Sequence, residues 1–413
     1  MNIYKLSEGV NLHIIESNKY KDISLFINFY SVSDKNDRIC RALLTNIIGN
    51  SSKMYDSKKA ITNKKDQLYG SSIGINNITV GQGHVFQVQG KMLNEKFTLE
   101  NTNNEFFSFV NELISNPIIN ESTLKEAKDN LIDRSLRKLD RPTNFSMSRV
   151  FEIYGKDTFV ENLAILKPED INNINLDMLI NSYDKMINND CVDIYIVGEV
   201  DSNEIVNEFK KYDVINSHRI IADKSIIEVN PILKDVYFEE EKNITQSSLV
   251  ITYKTNIIKR SEDFFALRVA NALLGLVPAS LLFQEVREKN SLCYSINSNI
   301  LGEEGILVIK TLIDSNNSLK TIDLIKEQVE KIKKGEFSMD QVNDCLNLYI
   351  SILNGVSDDI SQTVSMLYTA NLENRECDLD KDIEKIKLIT KDQIINAFNM
   401  LELKLIYLLK DVK

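Results

Sequence analysis

Ile194-Tyr195-Ile196-Val197-Gly198-Glu199-Val200-Asp201 returns at the far end of the chain as Ile406-Tyr407-Leu408-Leu409-Lys410-Asp411-Val412-Lys413, 212 positions on. Just upstream, Ile174–Asn181 matches Ile389–Asn396 at an offset of 215, and both stretches read as helix. The front ends agree too. Ser24-Leu25-Phe26-Ile27-Asn28-Phe29 alternates apolar and polar residues like a half-buried strand, and Ser248–Tyr253 repeats it 224 positions later. Three matches in order, at nearly constant offset, indicate a tandem duplication with halves of about 200 residues, the size of single domains.

Each half has one plan: strands, a helix, more strands, a run of helices and a closing strand. In the second half Phe265, Ala266, Val269, Ala270, Leu273 and Leu274 predict a helix over 262–275, and 306–313 reads as a strand. Ile322, Ile325, Val329 and Ile332 place a further helix closed by Gly335. Ser338-Met339-Asp340-Gln341 and Thr390-Lys391-Asp392-Gln393 each have the form of a capping box. Strands grouped apart from helices predict an α+β fold of two homologous sandwich domains, 1–215 and 232–413. The joint falls around 202–235, where polar residues and Pro231 mark a linker and Glu239-Glu240-Glu241 its exit.

Composition narrows the function. The 413 residues are 43% apolar and 26% charged, as in a soluble globular protein, and the length suggests two to three domains. Acidic residues outnumber basic ones, 60 to 49, with no long basic run, which argues against nucleic acid or an anionic membrane as partner. The start Met1-Asn2-Ile3-Tyr4-Lys5 lacks the apolar run of a signal peptide, and no stretch reaches the ~18 apolar residues of a membrane span. A cytoplasmic location is expected. The five cysteines are scattered and never in CxxC spacing, so they read as reduced thiols.

The chemistry concentrates in Leu282-Phe283-Gln284-Glu285-Val286-Arg287-Glu288-Lys289-Asn290-Ser291-Leu292-Cys293-Tyr294-Ser295-Ile296. An amphipathic segment carrying Arg287 meets a stop at Asn290-Ser291, and a strand opens at Cys293-Tyr294. Arg287 and Tyr294 can then point into one space, where a guanidinium beside a phenol suits a peptide carbonyl or the oxyanion formed on attack. The competing reading is a surface ion pair of Arg287 with Glu285 or Glu288, and a plain strand aromatic. The stretch resembles the Arg/Tyr signature in the C-terminal half of insulinase/pitrilysin-type zinc metallopeptidases, although Gly275-Leu276-Val277-Pro278-Ala279-Ser280 is stiffer than the glycine-rich turn of many relatives. Leu68-Tyr69-Gly70-Ser71-Ser72 resembles a turn of bacterial relatives that lack the zinc motif.

Active members of that family carry His-x-x-Glu-His on the first helix of the N-terminal half, two histidines on one helix face and a glutamate acting on the metal-bound water. With Ser51-Ser52 in place of the small pair that follows the motif, its positions fall on Ala42, Leu43, Leu44, Thr45 and Asn46, so Ala42, Thr45 and Asn46 stand where ligands and base belong. Residues 38–50 contain no His, Glu or Asp. The later glutamate ligand falls near Asp133 or Arg134. His13, His84 and His218 are the only histidines, and none has ligand spacing to another.

The resemblance covers nearly the whole chain and implies a half-length bacterial member in a clamshell arrangement, with no metal or cofactor of its own. It implies a non-catalytic, substrate-binding subunit of a heterodimeric zinc peptidase. The partner would bear His-x-x-Glu-His and the zinc, while Arg287 and Tyr294 bind a peptide or an unfolded segment. Two alternatives stay open: a peptide-binding scaffold that pairs with itself and has no peptidase activity, and a peptidase with atypical ligands drawn from Asp133, Glu126 and His84.

Overall fold

The computed structural model describes residues 1–32, 34–212, 219 and 236–412. His218, Pro231 and most of the expected linker lie outside the described residues. The chain forms two compact units, Met1–Leu136 with Leu166–Ser225, and Arg137–Ile165 with Ile226–Lys413. The α+β class is as expected.

In the first unit β1 (Asn2–Ser7), β2 (Val10–Glu16), β3 (Asp22–Val32), β4 (Ser72–Val80), β5 (Gly83–Leu93) and β6 (Cys191–Gly198) form one sheet, ordered β1-β2-β6-β3-β5-β4. His13 sits in the second strand. In the second unit β7 (Tyr237–Lys242), β8 (Ser247–Lys254), β9 (Cys293–Leu301), β10 (Ile306–Ile313) and β11 (Glu402–Asp411) are ordered β7-β11-β8-β10-β9. Without β1 the two orders coincide. The registers coincide as well: Leu25 faces Ile196, and Leu249 faces Leu408, the same pairing carried forward by the sequence offsets. The duplication is thus present in the hydrogen bonding. Glu239, Glu240 and Glu241 do not leave a linker but lie in β7, an edge strand parallel to β11. Charged side chains at an edge deter pairing with another chain.

Helices pack on one face of the first sheet and on both faces of the second. In the first unit the helix Lys35–Leu44 packs against Leu176–Asn189 through a buried ionic knot. Arg41, 1% exposed, donates through Nη1 to Asp190 Oδ2 at 2.5 Å, through Nη2 to Asp190 Oδ1 at 3.2 Å and through Nε to Ser182 Oγ at 3.1 Å. Both capping boxes foreseen in the second half are present, at Ser338 and Thr390. The helix expected over 262–275 is α-helical for Phe264–Asn271 and continues in wider π-type turns over Ala272–Leu276.

One helix crosses the boundary suggested by the repeat. Pro142–Tyr154 is coded in the first half, yet it packs on β8 and β11 of the second unit. Val150, Tyr154 and Val160 share a core with Val250, Val308, Leu405 and Tyr407, and Arg149 Nε donates to Glu240 Oε1 at 2.9 Å. In this unit Lys259 Nζ also lies 3.1 Å from Glu303 Oε1 and 2.7 Å from Glu373 Oε1. Burial, and then the neighbouring Glu373 carboxyl, push the Glu303 carboxyl up to about 7.

Two predictions follow the buried charges. Arg41→Ala leaves Asp190 buried without its partner and should cost the first unit about 3–5 kcal/mol in urea denaturation; a loss under about 1 kcal/mol would contradict the knot's structural weight. A carboxyl raised by folding holds its proton more tightly folded than unfolded, so stability falls as pH climbs from the ordinary carboxylate range through about 7. Glu303→Gln stays neutral, so its stability relative to the parent should rise by about 1–3 kcal/mol between pH 5 and pH 8. Denaturation midpoints at the two pH values check this, and a pH-independent difference would be the contrary result.

Candidate functional site

Arg287 lies in Phe283–Lys289, a segment of π-type turns, and Tyr294 lies one residue into β9. The stop between them has the expected position and a definite cause. Ser291 adopts φ +51°, in the left-handed region, which turns the chain out of the helix. The Ser291 N–H then reaches the Arg287 carbonyl at 3.0 Å, and the Leu292 N–H reaches the Val286 carbonyl at 3.1 Å. Asn290 closes the end by donating its side-chain amide to the Glu285 carbonyl at 2.9 Å. Leu282, Val286 and Leu292 are buried beneath the segment and anchor it to the core.

The two side chains do meet. The Arg287 guanidinium carbon is 5.6 Å from the centre of the Tyr294 ring and 4.3 Å from the centre of the Phe283 ring. Phe283 was not singled out by the sequence reading. The signal was available, because an aromatic residue four positions before an arginine lies on the same helical face. Glu288 Oε1 stands 3.6 Å from Arg287 Nε, whereas Glu285 is engaged by Lys289 at 2.8 Å. Of the two carboxylates considered for an ion pair with Arg287, Glu288 is the one within reach, and the contact is long. Tyr294 is 82% exposed on the edge strand, and its hydroxyl has no hydrogen-bond partner among the described residues. A guanidinium laid against two rings has its plane fixed while its outer N–H groups stay available, and an exposed phenol hydroxyl stands beside it. Such a pair can donate to a carbonyl oxygen or to the anion that develops on it.

The helix that would carry the zinc motif is built differently. Its residues Ala42, Thr45 and Asn46 fall at the end of Lys35–Leu44 and in the turns beyond it. Thr45 Oγ1 donates to the Ala42 carbonyl at 2.7 Å, and Asn46 Nδ2 donates to the same oxygen at 3.3 Å. A methyl group, a hydroxyl and an amide, the last two bonded to their own backbone, do not fit a zinc ion. Asn46 and Glu126 line one cavity of about 390 Å³, but the Glu126 carboxylate pairs with Lys58. His84 is buried in β5, and its ring is pushed down to about 4 by burial and then by the charge of Arg38, so it is neutral. Asp133 and Arg134 are exposed on the helix Glu121–Leu139. Among the described residues no three His, Cys, Asp or Glu side chains gather closely enough to hold a metal ion. Among those residues, too, no helix is long and apolar enough to cross a membrane.

A two-unit α+β fold with duplicated sheet order, a first helix ending in Ala42, Thr45 and Asn46 and an exposed Arg/Tyr corner in the second unit resemble one class of protein, the inactive homologues of metallopeptidases. Comparison with known proteins makes it specific. Residues 173–349, a span that includes Arg287 and Tyr294, match the family described as Peptidase M16 inactive domain. The chain is 27% identical, across 97% of its own length and 96% of the relative's, to a Bacillus subtilis (strain 168) protein named "Probable inactive metalloprotease YmfF". A conserved protein from Enterococcus faecalis V583 has the same fold, with a TM-score of 0.93 at 24% identity over 99% of this chain and 98% of that one. So has a peptidase M16 inactive domain from Pseudomonas fluorescens, with a TM-score of 0.84 at 16% identity over 100% and 98%. Over residues 173–349 the chain thus resembles the inactive domain of M16 peptidases, and along nearly its whole length it is similar to a relative named as an inactive metalloprotease.

The corner depends on a close approach behind it. A Cβ built on Gly275 would lie 2.8 Å from Leu282 Cδ1, 2.8 Å from Ser298 Oγ and 3.0 Å from the Ser298 backbone nitrogen. Because one of these atoms is backbone, the strain cannot be relieved by a rotamer change alone. Gly275→Ala should therefore destabilise the second unit by about 1–3 kcal/mol and disturb the segment carrying Arg287. Calorimetry of the variant checks the loss, and an unchanged transition would show that the approach is loose.

Proposed function

We propose that this chain is the substrate-binding, non-catalytic subunit of a heterodimeric zinc peptidase acting on peptides or unfolded segments. The observation that carries the reading is the corner itself: Arg287 oriented by Phe283 and Tyr294, with Tyr294 exposed and its hydroxyl unengaged among the described residues. Buried core aromatics and satisfied surface arginines need no such arrangement. The unsuitability of Ala42, Thr45 and Asn46 for a metal supports assigning the zinc and the attacking water to a homologous partner bearing His-x-x-Glu-His. In that complex this chain binds the carbonyl near the scissile bond. Arg287 and Tyr294 donate to its oxygen more strongly as negative charge develops, so their contribution falls on turnover rather than on ground-state binding.

Mixing the chain with such a partner should give peptidase activity that neither has alone. Arg287→Ala in this chain should lower the turnover number of the assembled complex by about 10²–10³, with assembly, followed by size-exclusion chromatography, unchanged. An active Arg287→Ala complex would rule out the role given to that residue. A chain that is recovered only with itself, and binds peptides without any metal-bearing partner, would instead support the scaffold alternative.

A further inference from the structure

Away from the Arg/Tyr corner, the second unit holds a cavity of about 1020 Å³ between the helices Phe264–Asn271, Met339–Val356, Ile360–Leu372 and Leu379–Lys387. That is the upper end of the range of roughly 300–1,000 Å³ seen for ligand sites. One wall is the half-buried ring of Phe265 with a cation on either hand: the Arg268 guanidinium carbon is 5.7 Å from the ring centre, and Lys385 Nζ is 5.2 Å from it. Arg268 is held in place, because its Nε donates to Tyr349 Oη at 2.7 Å. Its two terminal nitrogens have no hydrogen-bond partner among the described residues. Nor does any described carboxylate lie within ion-pair distance of Arg268 or Lys385. The opposite wall, from Ile360–Leu372, offers Ser361, Ser365 and Thr369 together with the apolar Met366.

The acidic groups that also border the cavity do not neutralise these two. Glu373 is engaged by Lys259 and Arg375, and Glu376 by Lys381. Glu262 and Asp382 border it with no ion pair among the described residues, so they oppose any anion that enters and Arg268 and Lys385 have to outweigh them. A planar guanidinium anchored at Nε leaves its outer N–H pair as a fork matched to one carboxylate, with an ammonium as second donor.

We propose that this cavity binds a carboxylate of a peptide, presented by a Glu or Asp side chain, with Arg268 and Lys385 as the paired donors and Phe265 as the floor. The proposal deepens the peptide-binding reading above and rests on it: it gives the substrate an acidic residue recognised away from the scissile bond.

Calorimetric titration of the isolated full chain tests it, using two end-capped peptides that differ only in one central residue, Glu or Gln. The Glu peptide should bind about tenfold more tightly. Arg268→Gln and Lys385→Gln should each erode that preference without weakening the Gln peptide, and Lys385→Glu should turn it against Glu. Equal affinity for the two peptides, or a preference that survives in the Arg268→Gln/Lys385→Gln double variant, would overturn the proposal. Free glutarate binding as tightly as the Glu peptide would mark a small-acid site and overturn the peptide assignment. Neither a partner nor turnover enters this measurement. A lost Glu preference with an inactive Arg287→Ala complex would thus sink only the cavity, whereas an active Arg287→Ala complex with the preference intact would sink only the Arg/Tyr role.

Discussion

In both halves the last strand pairs antiparallel with the first long one, β6 with β3 and β11 with β8, and the rest of each unit depends on that closure. The partners are separated by most of a domain's length of chain, so the entropy of closing the loop is offset only when the whole sheet forms. What makes the closure favourable is visible in the strands, since β6 and β8 are buried along their full length. In both halves the chain returns through a helix and then the strand: Leu176–Asn189 delivers β6, and Lys391–Asn399 delivers β11. Both helices begin on a side-chain cap, Asn175 in one and Thr390 in the other, at equivalent points of the repeat.

This explains which parts of the fold could be read from the chain. Strand alternation, helical spacing and capping boxes are local patterns, and the duplication wrote them twice, so the second copy checked the first. The excursion of Pro142–Tyr154 onto the second sheet had no comparable signal. An amphipathic helix fits any apolar face, and what ties it there is non-local: Arg149 with Glu240, and Lys242 Nζ 4.3 Å from the Phe145 ring centre. The acidic run at 239–241 looked like the exit of a linker because an edge strand can carry charge where a central one cannot. The π-type turns at 272–276 and 283–289 alter hydrogen-bond spacing by one residue, which no residue type announces.

The candidate site divides the same way. The lack of His, Glu or Asp over 38–50 is a matter of residue type, and sequence suffices for it. What organises that helix is a structural finding. Arg41, one position before the degenerate motif, is fully buried and binds Asp190 at the threshold of β6. The helix is fixed to the sheet through a charge pair behind it, and its end, at Thr45 and Asn46, is closed by bonds to its own backbone. The helix end can take ordinary termination chemistry, while neither partner of the buried knot can be removed alone without leaving a charge unpaired.

The duplication also bears on why a binding role would fall to the second half. Gly70, with φ +73°, precedes β4 by the same two positions that separate Ser291, with φ +51°, from β9. Each half thus presents a helical segment, a left-handed residue and an edge strand. In the first half the corner is tied down, because the Tyr69 hydroxyl accepts from the Leu99 N–H at 3.2 Å. In the second half the tyrosine sits on the strand side of the turn, and its hydroxyl has no such partner among the described residues. One corner has its polar group absorbed into its own unit, and the other leaves its tyrosine hydroxyl without a partner among the described residues, beside a guanidinium. An exposed phenol 5.6 Å from a guanidinium contributes little to packing, and under the proposed function this polar pair is what the second half offers to a peptide.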